Sequence, residues 1–217
     1  MIGDDETHHI GQAEKMIEKK RAPRNRTITL SAAERNQYRR MLRRGISSPV
    51  SLSAIIDSTI CQDLFQALKF LPSSCFDLIF ADPPYNLTKS FAGKTFRQMD
   101  TERYEEWLGS WVPSLRRLLK PRGSIYICGD WRSSAALQRT LSRHFIVQNR
   151  ITFEREKGRG AKRNWKNASE DIWFATVSDD YTFNVESVML KRRVLAPYTD
   201  EKGSPKDWAR EGGGSYR

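Results

Sequence analysis

A chain of 217 residues with a net charge of +11 has length for one packed domain with appendages, and its charge points to a polyanion, nucleic acid before membrane. No apolar run is long enough for a transmembrane helix, and the polar N-terminus does not read as a signal peptide. Cys61, Cys75 and Cys128 are odd in number and widely spaced, which fits reduced core thiols in a cytoplasmic protein. With no paired-cysteine spacing, and His8 and His9 in a polar tail, no metal site is expected.

Residues 1–27 run from acidic Asp4-Asp5-Glu6 to basic Lys19-Lys20-Arg21 and read as a disordered basic arm. Residues 28–48 form a basic helical segment. Ser31-Ala-Ala-Glu34 is a capping box, the helix is expected to reach Arg44, and Gly45 stops it. Its arginines suit either phosphate or plain solvent. The third segment, 49–184, carries the catalytic part. Val50 to Ile60 is β-prone, and Cys61–Pro72 reads as a strand end followed by a short amphipathic helix that Asp63 can cap.

Asp77-Leu-Ile-Phe-Ala81 is a short apolar run suited to a buried parallel strand, and Asp82-Pro83-Pro84 ends it abruptly. The prolines offer no N–H and force extended backbone before them, so a rigid loop forms at the carboxyl end of the strand. Open α/β sheets bind their ligands at that end. The loop presents a carboxylate, two unblocked backbone carbonyls and the Tyr85 ring. Asp82 and the Pro83 carbonyl can accept both hydrogens of an exocyclic base amine, and Tyr85 can stack on the base, a contact worth about 1–3 kcal/mol.

Asp82-Pro83-Pro84-Tyr85-Asn86 resembles the catalytic motif of the S-adenosylmethionine-dependent DNA amino-methyltransferases, particularly the N6-adenine enzymes of the β arrangement. The resemblance runs from about Ile60 to Asn184. It implies an α/β fold, a Rossmann-like methyltransferase sheet with flanking helices, and catalytic roles for Asp82, Pro83, Pro84 and Tyr85. It also implies that Asp63, Ala81 and Asp82 adjoin the methyl donor, and that Asn86 braces the loop beside nucleic acid.

Downstream, Leu87–Gln98 has no period and reads as a mobile loop whose Lys89, Lys94 and Arg97 suit contact with DNA backbone or a lid over the base. Thr101–Leu119 is amphipathic, with a kink or break expected at Pro113. Lys120–Gly123 reads as a turn, Ser124–Cys128 as a buried strand, Ser133–Ser142 as a helix, and Phe145–Glu154 and Glu170–Val177 as strands. The strands from Ile60, Asp77, Ser124, Phe145 and Glu170 are expected to share one sheet. Between the last two lies a basic connection, 155–166, whose Arg159, Lys162, Arg163, Trp165 and Lys166 suit a nucleic-acid backbone or an extruded base. Asn167-Ala-Ser-Glu170-Asp171 resembles the family's next pattern, with Ser169 where His is common. Residues 185–217 read as the start of a target-recognition or linker segment.

No glycine-rich turn follows an apolar strand anywhere in the chain, although a methyl-donor site needs close backbone approach. The β arrangement places that loop C-terminal to Arg217. The sequence therefore predicts an incomplete fold, inactive alone, that depends on a C-terminal extension or partner chain for the loop. Three functions follow. The first is a DNA methyltransferase acting on adenine N6 of a flipped-out base, as in restriction-modification; the others are an N4-cytosine enzyme and a non-catalytic nucleic-acid-binding fragment.

Overall fold

The computed structural model describes residues 29–91, 93–159, 163, 165, 167–195, 198–212 and 214–216, with backbone alone at 156–159, 211, 215 and 216. The chain divides into two units, Met1–Leu42 and Arg43–Arg217. In the first, α1 (Ala32–Met41) begins with the expected capping box: Ser31 Oγ accepts from the Glu34 amide, and Glu34 accepts from the Ser31 amide. The helix ends before the expected Arg44, because Leu42 turns extended and Arg43 exchanges hydrogen bonds with Thr59 and Cys61.

The second unit holds the sheet. After α2 (Leu64–Ala67) come β1 (Phe76–Ala81), the hairpin β2 (Lys89–Phe91) and β3 (Lys94–Phe96), α3 (Thr101–Gly109) and α4 (Val112–Leu118). Then follow β4 (Leu119–Gly129), α5 (Ser134–Ser142), β5 (Ile146–Arg159) and β6 (Asn167–Thr176), with a small hairpin of β7 (Ala209–Glu211) and β8 (Gly214–Tyr216) at the end. The main sheet has the order β1-β4-β6-β5. β1 and β4 are parallel, and β6 is antiparallel to both β4 and β5. This is the expected α/β class.

Four expectations need correction. Val50–Ile60 supplies no sheet strand: Leu52–Ala54 is a 3-10 turn, and Ile60 makes only an isolated bridge with Arg43. Pro49 and the flanking serines interrupt any ladder there. Leu87–Gln98 is a hairpin rather than an irregular loop, closed by Ser90–Thr95 (2.7 Å) and by the Gln98 amide donating to Thr88 Oγ1 (3.1 Å). Cys61 is exposed, so only Cys75 and Cys128 are buried thiols. The helix break at Pro113 is as expected, since α3 ends at Gly109 and α4 carries the proline in its first turn. Lys120–Gly123 is also not the expected separate turn: it lies within β4 as an irregularity, where the register jumps from Phe76–Leu119 to Leu78–Ser124.

Side chains alternate across the sheet, and helices cover one face. On that face Ile79, Ile125, Ile127 and Ala175 join Leu108, Leu115, Leu137 and Leu141 in the core. The other face carries Leu78, Phe80, Tyr126 and Phe174, with Phe80 and Tyr126 stacked at 6.3 Å and Tyr126 and Phe174 at 4.6 Å. Leu78 and Phe80 remain 54% and 59% exposed.

Candidate active site

β1 delivers Asp82 to the carboxyl edge of the sheet, where the prolines carry the chain outward. Asp82 is exposed, while Pro83 to Asn86 are half-buried. Side chains from other elements pin the loop. The hydroxyl of Tyr104, on α3 and 1% exposed, donates to the Pro84 carbonyl (3.0 Å). Of the two carbonyls expected to be unblocked, Pro84's is thus committed to Tyr104. The Asn86 amide donates to Ser133 Oγ (3.5 Å), and Ser133 in turn donates to Asp130 through its hydroxyl (2.6 Å) and amide (2.9 Å). Asn86 also grips Met99 twice: its Nδ2 donates to the Met99 carbonyl (2.9 Å), and its Oδ1 accepts from the Met99 amide (2.8 Å). That grip closes the base of the β2–β3 hairpin, the bracing expected of Asn86.

The loop's surroundings are electronegative. Burial raises the Tyr85 phenol well above its usual range, reinforced by the Asp82 and Glu170 charges. Burial pushes the Cys128 thiol up to about 11, with help from Asp82 and Glu170. The Tyr104 hydroxyl is pushed up to about 12, chiefly by burial. These groups therefore stay neutral at ordinary pH, and Asp82 and Glu170 provide the negative field around Tyr85. Glu170, half-buried on β6, is itself ion-paired with Arg155 of β5 (2.6 Å).

The remaining candidates are more scattered. Ala81 ends β1 beside Asp82. Asp63 caps α2, accepting from the Phe65 amide (3.0 Å). Lys89 lies on the exposed hairpin. Arg163 and Trp165 are exposed, Trp165 at 96%. Lys162, Lys166 and the Arg159 side chain lie outside the described residues. Tyr104, Asp130, Ser133, Cys128 and Glu170 had no site role in the sequence reading. A usable signal was present in Tyr104, because a tyrosine in a core helix position needs a partner for its hydroxyl.

Among the described residues, no group of three or more His, Cys, Asp or Glu side chains could hold a metal ion. A methyl donor fits only in part. Gly129 is the last residue of β4, but a Cβ there would meet Leu137 Cδ1 at 2.3 Å, so its bareness serves helix packing rather than a ligand. The described glycines at 45, 93, 109, 203 and 212 face open space away from the main strand ends. Asp82 and Ala81 can flank one side of a donor, but no described glycine turn forms a cradle for the rest of it.

A family model described as DNA methylase, for N6 and N4 methyltransferases, matches residues 76–208, from β1 past the whole main sheet. The chain belongs to this DNA methylase family. The DNA methylase match includes Asp82–Asn86 and Glu170 and leaves Asp63 outside it. The chain is 30% identical over 151 residues to DNA adenine methyltransferase YhdJ of Escherichia coli, covering 66% of this chain and 51% of that protein. It is 28% identical over 148 residues to the type II methyltransferase M.HpaI of Haemophilus parainfluenzae, covering 67% and 47%. The chain thus spans about half the length of these curated relatives. Among solved structures, the cytosine-N4-specific PvuII DNA methyltransferase aligns with a TM-score of 0.46 and 18% identity, over 57% of this chain and 50% of that one. A putative DNA modification methylase from Thermus thermophilus, complexed with S-adenosyl-L-methionine, aligns with a TM-score of 0.44 and 18% identity, over 58% and 55%.

Proposed function

We propose that this chain is the catalytic part of a cytoplasmic DNA methyltransferase that modifies the N6 amine of an adenine swung out of the duplex. The observation that carries the proposal is the pinned Asp82–Asn86 loop. Tyr104 and Ser133 hold its backbone and the Asn86 side chain ties it to Met99, leaving the Asp82 carboxylate and the Pro83 carbonyl for a ligand. An aromatic amine is a poor nucleophile because its lone pair is delocalised. Asp82 and Pro83 accept its two hydrogens and favour a pyramidal nitrogen whose lone pair points outward. Tyr85 stacks on the base. S-adenosylmethionine supplies the electrophilic methyl group, and Ala81, Asp82 and Asp63 flank it. Positioning dominates this catalysis.

The basic residues Arg159, Lys162, Arg163 and Lys166, with Trp165, contact DNA backbone or the extruded base, and residues 185–217 begin the part that recognises the target. The adenine E. coli relative and the aspartate at position 82 favour adenine over cytosine. Because the described residues form only one wall for the methyl donor, the remaining wall comes from further sequence or from a partner chain.

Methyl transfer to DNA, assayed in a form that supplies the glycine loop and followed by nucleoside digestion, tests the reading. The expected product is N6-methyladenine; N4-methylcytosine would move the assignment to cytosine. Asp82→Ala is expected to abolish turnover while DNA affinity stays nearly unchanged. Full activity in that variant would sink the mechanism.

A further inference from the structure

The β2–β3 hairpin rises directly from the catalytic loop, and its two ends differ. At the base it is anchored: Asn86 grips Met99, and Phe96 packs edge-on against Tyr104 (6.3 Å) and Trp107 (5.1 Å) of α3. In the antiparallel register Lys89 opposes Phe96 and Phe91 opposes Lys94, so these four side chains share one face, and the Ser90–Thr95 pair occupies the other. Toward the tip that face leaves the core. Phe91 is 44% exposed, with the Lys89 ammonium 5.0 Å from its ring centre and Lys94 exposed opposite.

An exposed aromatic ring with one ammonium over it and a second lysine opposite it in the hairpin register suits one kind of partner, a stacked base flanked by phosphates. Basic side chains meet the phosphates, and the ring contributes sequence-tolerant stacking. A base drawn into the Asp82–Tyr85 loop leaves a gap in the duplex, and apolar side chains can enter an opened base step. We propose that Phe91 is the stacking wedge of this enzyme: it enters duplex DNA at the vacated position and stacks on the bases left behind, while Lys89 and Lys94 hold the adjoining phosphates. The proposal rests on the DNA-methylating function above and adds the element that keeps the duplex open.

Two short fluorescein-labelled duplexes of one sequence test it, one fully paired and one with a single abasic site that mimics the vacated position. Binding of the full chain is measured by anisotropy at fixed salt. The native chain is expected to prefer the abasic duplex. Phe91→Ala is expected to weaken abasic binding by about 5- to 150-fold, the usual range for one lost base–aromatic stack, while hardly changing paired binding. Phe91→Trp should retain the preference. Replacing Lys89 and Lys94 together with Ala should weaken binding to both duplexes and reduce the salt slope by about 1.8. An abasic preference untouched by Phe91→Ala overturns the wedge and leaves the methyltransferase reading standing. A chain that binds neither duplex, or shows no abasic preference, also overturns the wedge, while the methyl-transfer assay above decides the methyltransferase reading separately. Because the Phe91→Trp control keeps a ring at the tip, a folding defect is separated from the loss of stacking.

Discussion

Tyr104 is both a core side chain and a catalytic-loop brace, and one physical fact links the two. A phenol buried to 1% exposure needs a partner for its hydroxyl, and the carbonyl of a proline, unused by any sheet ladder, accepts it. Tyr104→Phe keeps the ring and removes that donor. It is expected to cost about 1 kcal/mol of stability and to lower turnover more than DNA affinity, because the freed loop no longer presents Pro83 and Asp82 at a fixed spacing. The pH dependence has a definite sign. The folded-state value lies near 12 against an ordinary 10, so the protonated hydroxyl's contribution is complete below pH 10 and disappears as pH rises through 12. Denaturant melts of native protein and Tyr104→Phe should therefore differ by a constant amount from neutral pH to about 10 and converge above it. A constant gap up to pH 12 would show that this hydroxyl is not the one titrating. The neighbouring residues divide by how visible they were. Asp82 to Asn86 were legible because their proline spacing dictates a loop by itself. Ser133 and Asp130 were not, because the Ser133 contact with Asn86, and Asp130's hold on Ser133, depend on how β4 and α5 meet.

Elements were legible where local chemistry and tertiary demand agree. The capping box of α1, the break at Pro113 and the strands around Leu78, Ile125 and Phe174 all carry their signal in a few adjacent residues. Ile60 misleads because β-branched residues without a neighbouring strand are buried just as well by turns, and Ile55 does enter the core from one. The β2–β3 hairpin was hidden for the opposite reason. Its strands are too short to show alternation, and its stability comes from Asn86, Met99 and Phe96 rather than from its own pattern. Packing between β4 and α5 gives the test at this scale. Gly129 lets Leu137, fully buried, approach the strand end, and an added Cβ would lie 2.3 Å from its Cδ1. Gly129→Ala should displace α5 from Asp130 and cost about 1–3 kcal/mol, measured by urea denaturation. An unchanged midpoint would mean that Leu137 repacks freely and that α5 is not held against the strand.

The molecule as a whole is asymmetric across its sheet. One face is sealed by helices, with Ile125, Ile127, Leu137 and Leu141 fully excluded from solvent. The other presents Leu78 and Phe80 on β1, which among the described strands pairs with β4 alone and so lies at the edge of the main sheet. A buried-type strand with an open edge invites a further strand. Covering the exposed half of each of those side chains would contribute about 1 kcal/mol apiece, too little to drive association without backbone pairing along the edge. The donor site has the same one-sidedness: Asp82 and Ala81 form a wall, and no described glycine turn faces them. One inference covers both. If the polypeptide proposed above to complete the donor site also pairs with β1, cofactor affinity and coverage of the apolar edge should appear together. Calorimetry on residues 1–217 is expected to show weak or undetectable S-adenosylmethionine binding. A longer chain or a complementing polypeptide carrying the glycine loop should bind it stoichiometrically and suppress any self-association of the isolated chain. Phe80→Asp, on the exposed face and outside the catalytic loop, should weaken that complementation, because a carboxylate would then have to be buried without a partner. Tight, stoichiometric binding by residues 1–217 alone would show that this chain already builds the second wall, and the link between the open edge and the cofactor would fail.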